Sequence, residues 1–197
     1  MAFLKNRITT QSENVRGQPA AKYHSARMTL ILVIICSLIN IFMTLSGSDR
    51  YFLFSAFIPY YLTFMGALLC GKMPDYWYEG EGAAVAMFEG DTVMLGLAAV
   101  SAVILIAYLV LWFLSKKPRM GIMIAALVLF SVDTAAMLVL GGISFDMLLD
   151  YLFHAYVIYS LASGITALKK LRELPPEPIQ VEDYTDVTGG SDTEEGV

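Results

Sequence analysis

Apolar positions in this chain come in long runs, not in the spaced stripe of a surface helix or the alternation of a half-buried strand. Five runs are almost free of charge: Met28–Ser46, Tyr51–Cys70, Val93–Leu114, Met120–Leu140 and Phe145–Leu168. A helix needs about 17–25 predominantly apolar residues to cross the hydrocarbon core of a bilayer, so length admits all five. Backbone groups have no water to bond inside that core, so runs of this length predict helices. The fold class expected is an all-α, polytopic transmembrane helical bundle.

Charge decides which runs cross. If all five did, with the N-terminus inside, the thirteen Lys and Arg would divide six inside and seven outside. Both basic clusters, Lys116-Lys117-Pro118-Arg119 and Lys169-Lys170-Leu171-Arg172, would then face out. If Tyr51–Cys70 does not cross, eleven lie inside and only Arg50 and Lys72 outside. Short loops next to spans carry their Lys and Arg on the cytoplasmic side. The bias therefore predicts four crossings, a multi-pass protein of the cell membrane with both termini cytoplasmic; five crossings is the alternative. The aromatic run has its own reasons to stay out. Seven of its first fourteen residues are aromatic, a composition suited to the headgroup region, and Pro59 breaks its backbone ladder. A re-entrant helix-turn-helix or an interfacial segment is expected there, covered by the other helices.

Composition narrows the classes further. With 57% hydrophobic and 16% charged residues and a mean hydropathy of +0.62, the chain is not a disordered protein, a disulfide scaffold, a nucleic-acid binder or an ordinary cytosolic enzyme. Residues 1–27 read as a polar cytoplasmic leader, too long for the charged region of a secretory signal, so the run from Met28 is expected to be an uncleaved first span. Residues 28–172 form the bundle. Residues 173–197 carry eight acids and no Lys or Arg, with several prolines, and are expected to be a disordered acidic tail. Gly71–Thr92 reads as an extracytoplasmic loop anchored by Tyr76-Trp77-Tyr78. Cys36 and Cys70 sit inside apolar runs without metal-ligand spacing, and no disulfide between them is expected.

The stretch from Tyr51 to Tyr61 (Tyr-Phe-Leu-Phe-Ser-Ala-Phe-Ile-Pro-Tyr-Tyr), followed by the Lys-Lys-Pro-Arg loop and by Gly141-Gly142-Ile143-Ser144, resembles a family of small polytopic membrane proteins from Gram-positive anaerobic bacteria. The likeness covers most of residues 20–172. It implies a bacterial plasma membrane and brings no known activity.

Few residues could carry chemistry. Asp133, Asp150 and His154 lie in a pair of runs joined by the short Gly141-Gly142-Ile143 turn, which predicts an antiparallel hairpin. Ionisable groups at membrane depth are costly and need a partner. Asp146, Asp150 and His154 recur every four residues and share one helix face, and Asp133 falls at the depth of His154, so an Asp133–His154 contact is expected. Asn40 and Ser101 fall near the same depth, and Ser37, Asn40 and Thr44 form a polar stripe on the first span. Ser144 and Asp146 read as helix caps, and His24 as a surface histidine.

Three readings compete for the cluster: hydrogen-bonding between helices, a proton or ion relay or small-solute pocket lidded by the aromatic segment, and a metal site built on Asp-x-x-x-His. A zinc hydrolase wants three protein ligands, and only one intramembrane His is present. No metal, cofactor or catalytic residue is therefore assigned. The function expected is a non-enzymatic membrane subunit or accessory protein; the alternatives are a small transporter or ion-translocating protein and, more distantly, an intramembrane metal-dependent hydrolase. Its partners are the lipid bilayer and a membrane-protein partner or a second copy; the small-residue pairs Gly121–Ala125 and Ser160–Gly164 mark close packing, within the chain or against a partner. Replacing Asp133 by Asn is expected to preserve a structural role and abolish a proton-coupled one.

Overall fold

The computed structural model describes residues 2–48, 50–52, 54–80 and 83–175, with side chains from Val15 onward. It contains α1 (Ala2–Leu45), α2 (Phe57–Leu69), a single 3-10 turn (Asp75–Trp77), α3 (Thr92–Leu114), α4 (Met120–Leu140) and α5 (Leu148–Glu173), and no strand among the described residues. Four of these helices are long and apolar enough to cross a bilayer: Val15–Leu45, Thr92–Leu114, Met120–Leu140 and Leu148–Glu173. The chain is an integral membrane protein built as a helical bundle. Its outer faces carry Phe42, Val103, Val128, Val139 and Leu152, all strongly exposed, which suits contact with acyl chains.

α1 lies against α5, α3 and α2, and α4 and α5 form the expected hairpin. The core between them is Leu30, Val33, Leu105, Tyr108, Met123, Ala126, Phe130, Val157 and Leu161. Two glycines set the closest approaches. A Cβ on Gly164 would stand 2.7 Å from the Ala26 Cβ, and one on Gly66 would stand 2.9 Å from the Met94 Cα. Small residues do this work in membrane helices, where apolar burial gives little drive for association. The Ser160–Gly164 pair thus packs on α1, with Ser160 Oγ 3.0 Å from Thr29 Oγ1. Gly121 and Ala125 are exposed and make no such contact.

The bundle has a basic end and an aromatic end. At the basic end Arg27 Nε donates to Ser115 Oγ at 3.0 Å, and the Lys116 ammonium sits 4.3 Å above the Phe113 ring. The described residues of the loops 46–56, 70–91 and 141–147 gather at the other end.

Residues 2–27, read as the leader, are helical and continuous with the first span, with Pro19 inside the helix. The disordered tail expected over 173–197 begins with Glu173, the last residue of α5; residues 176–197 lie outside the described residues.

The aromatic run is re-entrant. The chain turns at Ser46–Gly47 and descends as irregular backbone, with Phe54 in the left-handed region at φ 76°. It reaches the level of Ser37, two turns below the end of α1, and α2 then climbs back to Cys70. At 1.5 Å per residue the 13 residues of α2 span about 20 Å, short of a hydrocarbon core of about 30 Å. The descending limb is not the first helix of a helix-turn-helix, since its backbone bonds to α1 side chains instead.

Candidate functional site

A helix that begins inside a bundle exposes N–H groups with no internal partner and no water to take their place. α2 does so, and its own N-cap residue, Ala56, has no side chain to offer. The acceptors come from α1 and α4, residue after residue along the chain, and a donor from α3 follows them. Asn40 on α1 receives the Phe52 N–H on Oδ1 and donates Nδ2 to Phe52 O at 2.8 Å and Ser55 Oγ at 2.7 Å. Ser37 Oγ accepts the Ala56 N–H at 2.8 Å. Asp133 on α4 then takes two donors: Oδ2 accepts the Phe57 N–H and Oδ1 the Ile58 N–H, each at 2.8 Å. Pro59, third in the helix, has no N–H to satisfy. Its carbonyl lies 2.8 Å from Ser101 Oγ on α3 and 2.9 Å from Thr63 Oγ1.

Every free donor of the buried helix start is thereby bonded. The Asp133 carboxylate also faces the positive end of the α2 dipole, the position where a negative charge is most stabilised.

His154 joins this cradle from α5. Its Nδ1 lies 2.8 Å from the backbone carbonyl of Asp150, which can only accept, so the proton sits on Nδ1. Nε2 lies 3.3 Å from Asp133 Oδ2. The imidazole stacks on Phe130 at 5.0 Å and meets the edge of Phe153 at 6.0 Å.

Asp150, one turn nearer the aromatic end, has a different partner: its Oδ2 accepts the Tyr51 hydroxyl. Since its backbone carbonyl is what meets His154, the Asp-x-x-x-His spacing does not present two side-chain ligands together. Among the described residues no group of three His, Cys, Asp or Glu side chains could hold a metal ion.

The expected caps are not caps. α5 starts at Leu148 with Met147 as its N-cap and no side-chain capping bond, and Ser144 and Asp146 lie in the turn before it. That turn is held instead by Tyr151, whose hydroxyl donates to Gly142 O at 2.6 Å and lies 3.3 Å from Ser144 N. Asp150 is the acid of the first helical turn.

Above the cradle a cavity of about 540 Å³ opens between α2, α4 and α5. One wall carries the rings of Tyr51, Phe57, Tyr60, Tyr61, Phe64 and Trp77; Met137, Leu140 and Met147 form the other, and Asp150, His154 and Ser55 supply its polar groups. The rings brace each other, Tyr51 on Tyr60 at 5.2 Å, Phe57 on Tyr61 at 5.2 Å and Phe64 against Trp77 at 5.3 Å.

The structure thus joins Asp133 to His154, as expected. Asn40 and Ser101 share their depth but do not bond to them; they hold neighbouring stretches of the re-entrant backbone. Sequence reasoning missed Tyr51 as the partner of Asp150, and missed that Asp133's partners are backbone. Pro59 was the available signal, because proline in a first helical turn marks a helix start, and a buried start needs an acceptor. His24 is exposed, as read. No family model matches the chain, and no curated protein or solved structure is similar to it.

Proposed function

We propose that this integral membrane protein is a non-enzymatic, solute-binding component, the recognition part of a small transporter or receptor-type assembly, with its pocket between the re-entrant half-helix and the α4–α5 hairpin. The observation that carries this is the cavity of about 540 Å³, which falls inside the roughly 300–1,000 Å³ typical of ligand sites and places Asp150 and His154 among aromatic walls. The polar residues divide by what they touch. Ser37, Asn40, Ser101 and Asp133 are occupied by the backbone they hold, which favours a structural role for them over a proton relay. Asp150 faces the cavity. The basic end faces the cytoplasm, on the strength of eleven Lys and Arg at that end, so both termini are cytoplasmic and the pocket opens outward. A bacterial plasma membrane and membership of the family resembled at Tyr51–Tyr61 belong to the same proposal.

The test is a single thiol at the cavity wall. In a chain lacking Cys36 and Cys70, Met147→Cys is treated in intact cells with a membrane-impermeant maleimide. Labelling from outside supports a water-filled, outward pocket. Labelling only after permeabilisation reverses the orientation, and absence of labelling in both conditions means that lipid or side chains fill the space and no solute pocket exists.

A further inference from the structure

We infer that the cavity takes a small organic cation, an ammonium bearing alkyl groups, with Asp150 as its counter-ion and the aromatic wall as its cage. The inference rests on the pocket proposed above and adds the ligand class.

Three observations converge on it. The first is charge. Asp150 is 6% exposed and lines the cavity, and no Lys or Arg does. Its carboxylate is bonded to a neutral phenol, the Tyr51 hydroxyl, and the nearby imidazole of His154 turns its two nitrogens to the Asp150 backbone carbonyl and to Asp133 instead. A buried carboxylate without a cation is costly, so the site favours a cation over an anion or a neutral solute. The position of Asp150 in the first turn of α5 accounts for an acid there. It does not account for six rings lining the same space.

The second is the rings. The faces of Trp, Tyr and Phe attract a cation held within about 6 Å, and cages of several such rings recognise alkylated ammonium groups. Here Tyr51, whose hydroxyl holds Asp150, stacks on Tyr60 at 5.2 Å, so the counter-ion and the cage are one mechanical unit. The third is size and donor set. A hard metal ion wants about six or more oxygen ligands at close range. This cavity is about 540 Å³ and mainly apolar, too large for a bare ion and short of oxygens to replace its hydration shell.

The test uses the full chain in lipid nanodiscs, with Trp112→Phe so that Trp77 is the single tryptophan reporter. Choline is titrated against its neutral carbon isostere, 3,3-dimethylbutan-1-ol. The expected result is a saturable change in Trp77 fluorescence with choline, an affinity at least tenfold weaker for the isostere, and at least tenfold loss of choline affinity in Asp150→Asn with the isostere unaffected. The comparison of the two probes in the Trp112→Phe chain stands even if adding Asp150→Asn prevents folding. Equal affinity for choline and the isostere overturns the cation assignment and leaves the pocket intact. If neither probe changes Trp77 or slows labelling of Met147→Cys, the cation assignment falls; the pocket falls with it only if Met147→Cys is unlabelled as well.

Discussion

Replacing Asp133 by Asn should loosen the re-entrant segment selectively. The carboxylate accepts two buried N–H groups at 2.8 Å, one on each oxygen. Asparagine keeps one acceptor and turns the other position into a donor, so the expectation from sequence that Asn would preserve a structural role does not survive the geometry. One N–H is left facing an NH₂, which costs about 1–3 kcal/mol for a buried unsatisfied donor. The surviving bond changes from charge-assisted to neutral, a further loss of about 1 kcal/mol. The total, about 2–4 kcal/mol, converts at 1.4 kcal/mol per tenfold to roughly 30- to 700-fold easier local opening. Hydrogen exchange read by mass spectrometry on the peptide covering residues 52–64 measures this directly. The amides of Ala56, Phe57 and Ile58 should lose protection by that factor while α5 amides near Val157 keep theirs. Unchanged exchange at Phe57 and Ile58 would refute the capping role; equal loss in α5 would mean global destabilisation instead.

Pro59→Ala should destabilise by about 1–3 kcal/mol in a thermal melt, since it adds a third N–H at a buried helix start whose two carboxylate oxygens are taken; an unchanged or higher melting temperature would count against it. The Tyr108 hydroxyl is buried with no hydrogen-bond partner among the described residues, so Tyr108→Phe should be neutral or stabilising by up to about 2 kcal/mol, and a clear loss of stability would reveal a partner. Gly164→Leu should separate α1 from α5 and lower stability by about 1–3 kcal/mol or more, as overpacking a tight core does, with the melting temperature as readout. The Lys72 ammonium, bonded to Asp91 at 2.8 Å, is held above its ordinary value of 10.5. Whatever this exposed pair contributes is complete below 10.5 and lost only as pH climbs through the raised value, so the stability difference between the native chain and Lys72→Met, read by thermal melts, should be small and constant between pH 6 and 9.

Much of the architecture was legible in the sequence because hydrophobic run length and Lys/Arg placement are direct consequences of the bilayer. The same charge count set Tyr51–Cys70 apart from the crossing helices, and depth arithmetic brought Asp133 to His154. What stayed hidden involves backbone. A run of apolar side chains does not say where its helix begins, so Pro59 read as a mid-run break when it is the third residue of α2. Asn40, Ser37, Asp133 and Ser101 looked like side chains seeking one another, whereas each holds a piece of the segment from Phe52 to Pro59. Ser144 and Asp146 carried capping chemistry at the right spacing for a helix starting at Phe145. The turn, with Gly142 at φ 68°, instead delays that start to Leu148.

The central claim is that the chain from α1 to α3 enters the bundle and leaves by the same end. It is tested most directly by two single cysteines, Ser46→Cys and Glu79→Cys, placed before and after the re-entrant segment in a chain lacking Cys36 and Cys70, with Lys117→Cys marking the basic end. An impermeant maleimide should label Ser46→Cys and Glu79→Cys from the same side of the membrane and Lys117→Cys from the other. Labelling of Ser46→Cys and Glu79→Cys from opposite sides would make Tyr51–Cys70 a crossing segment and contradict the re-entrant fold.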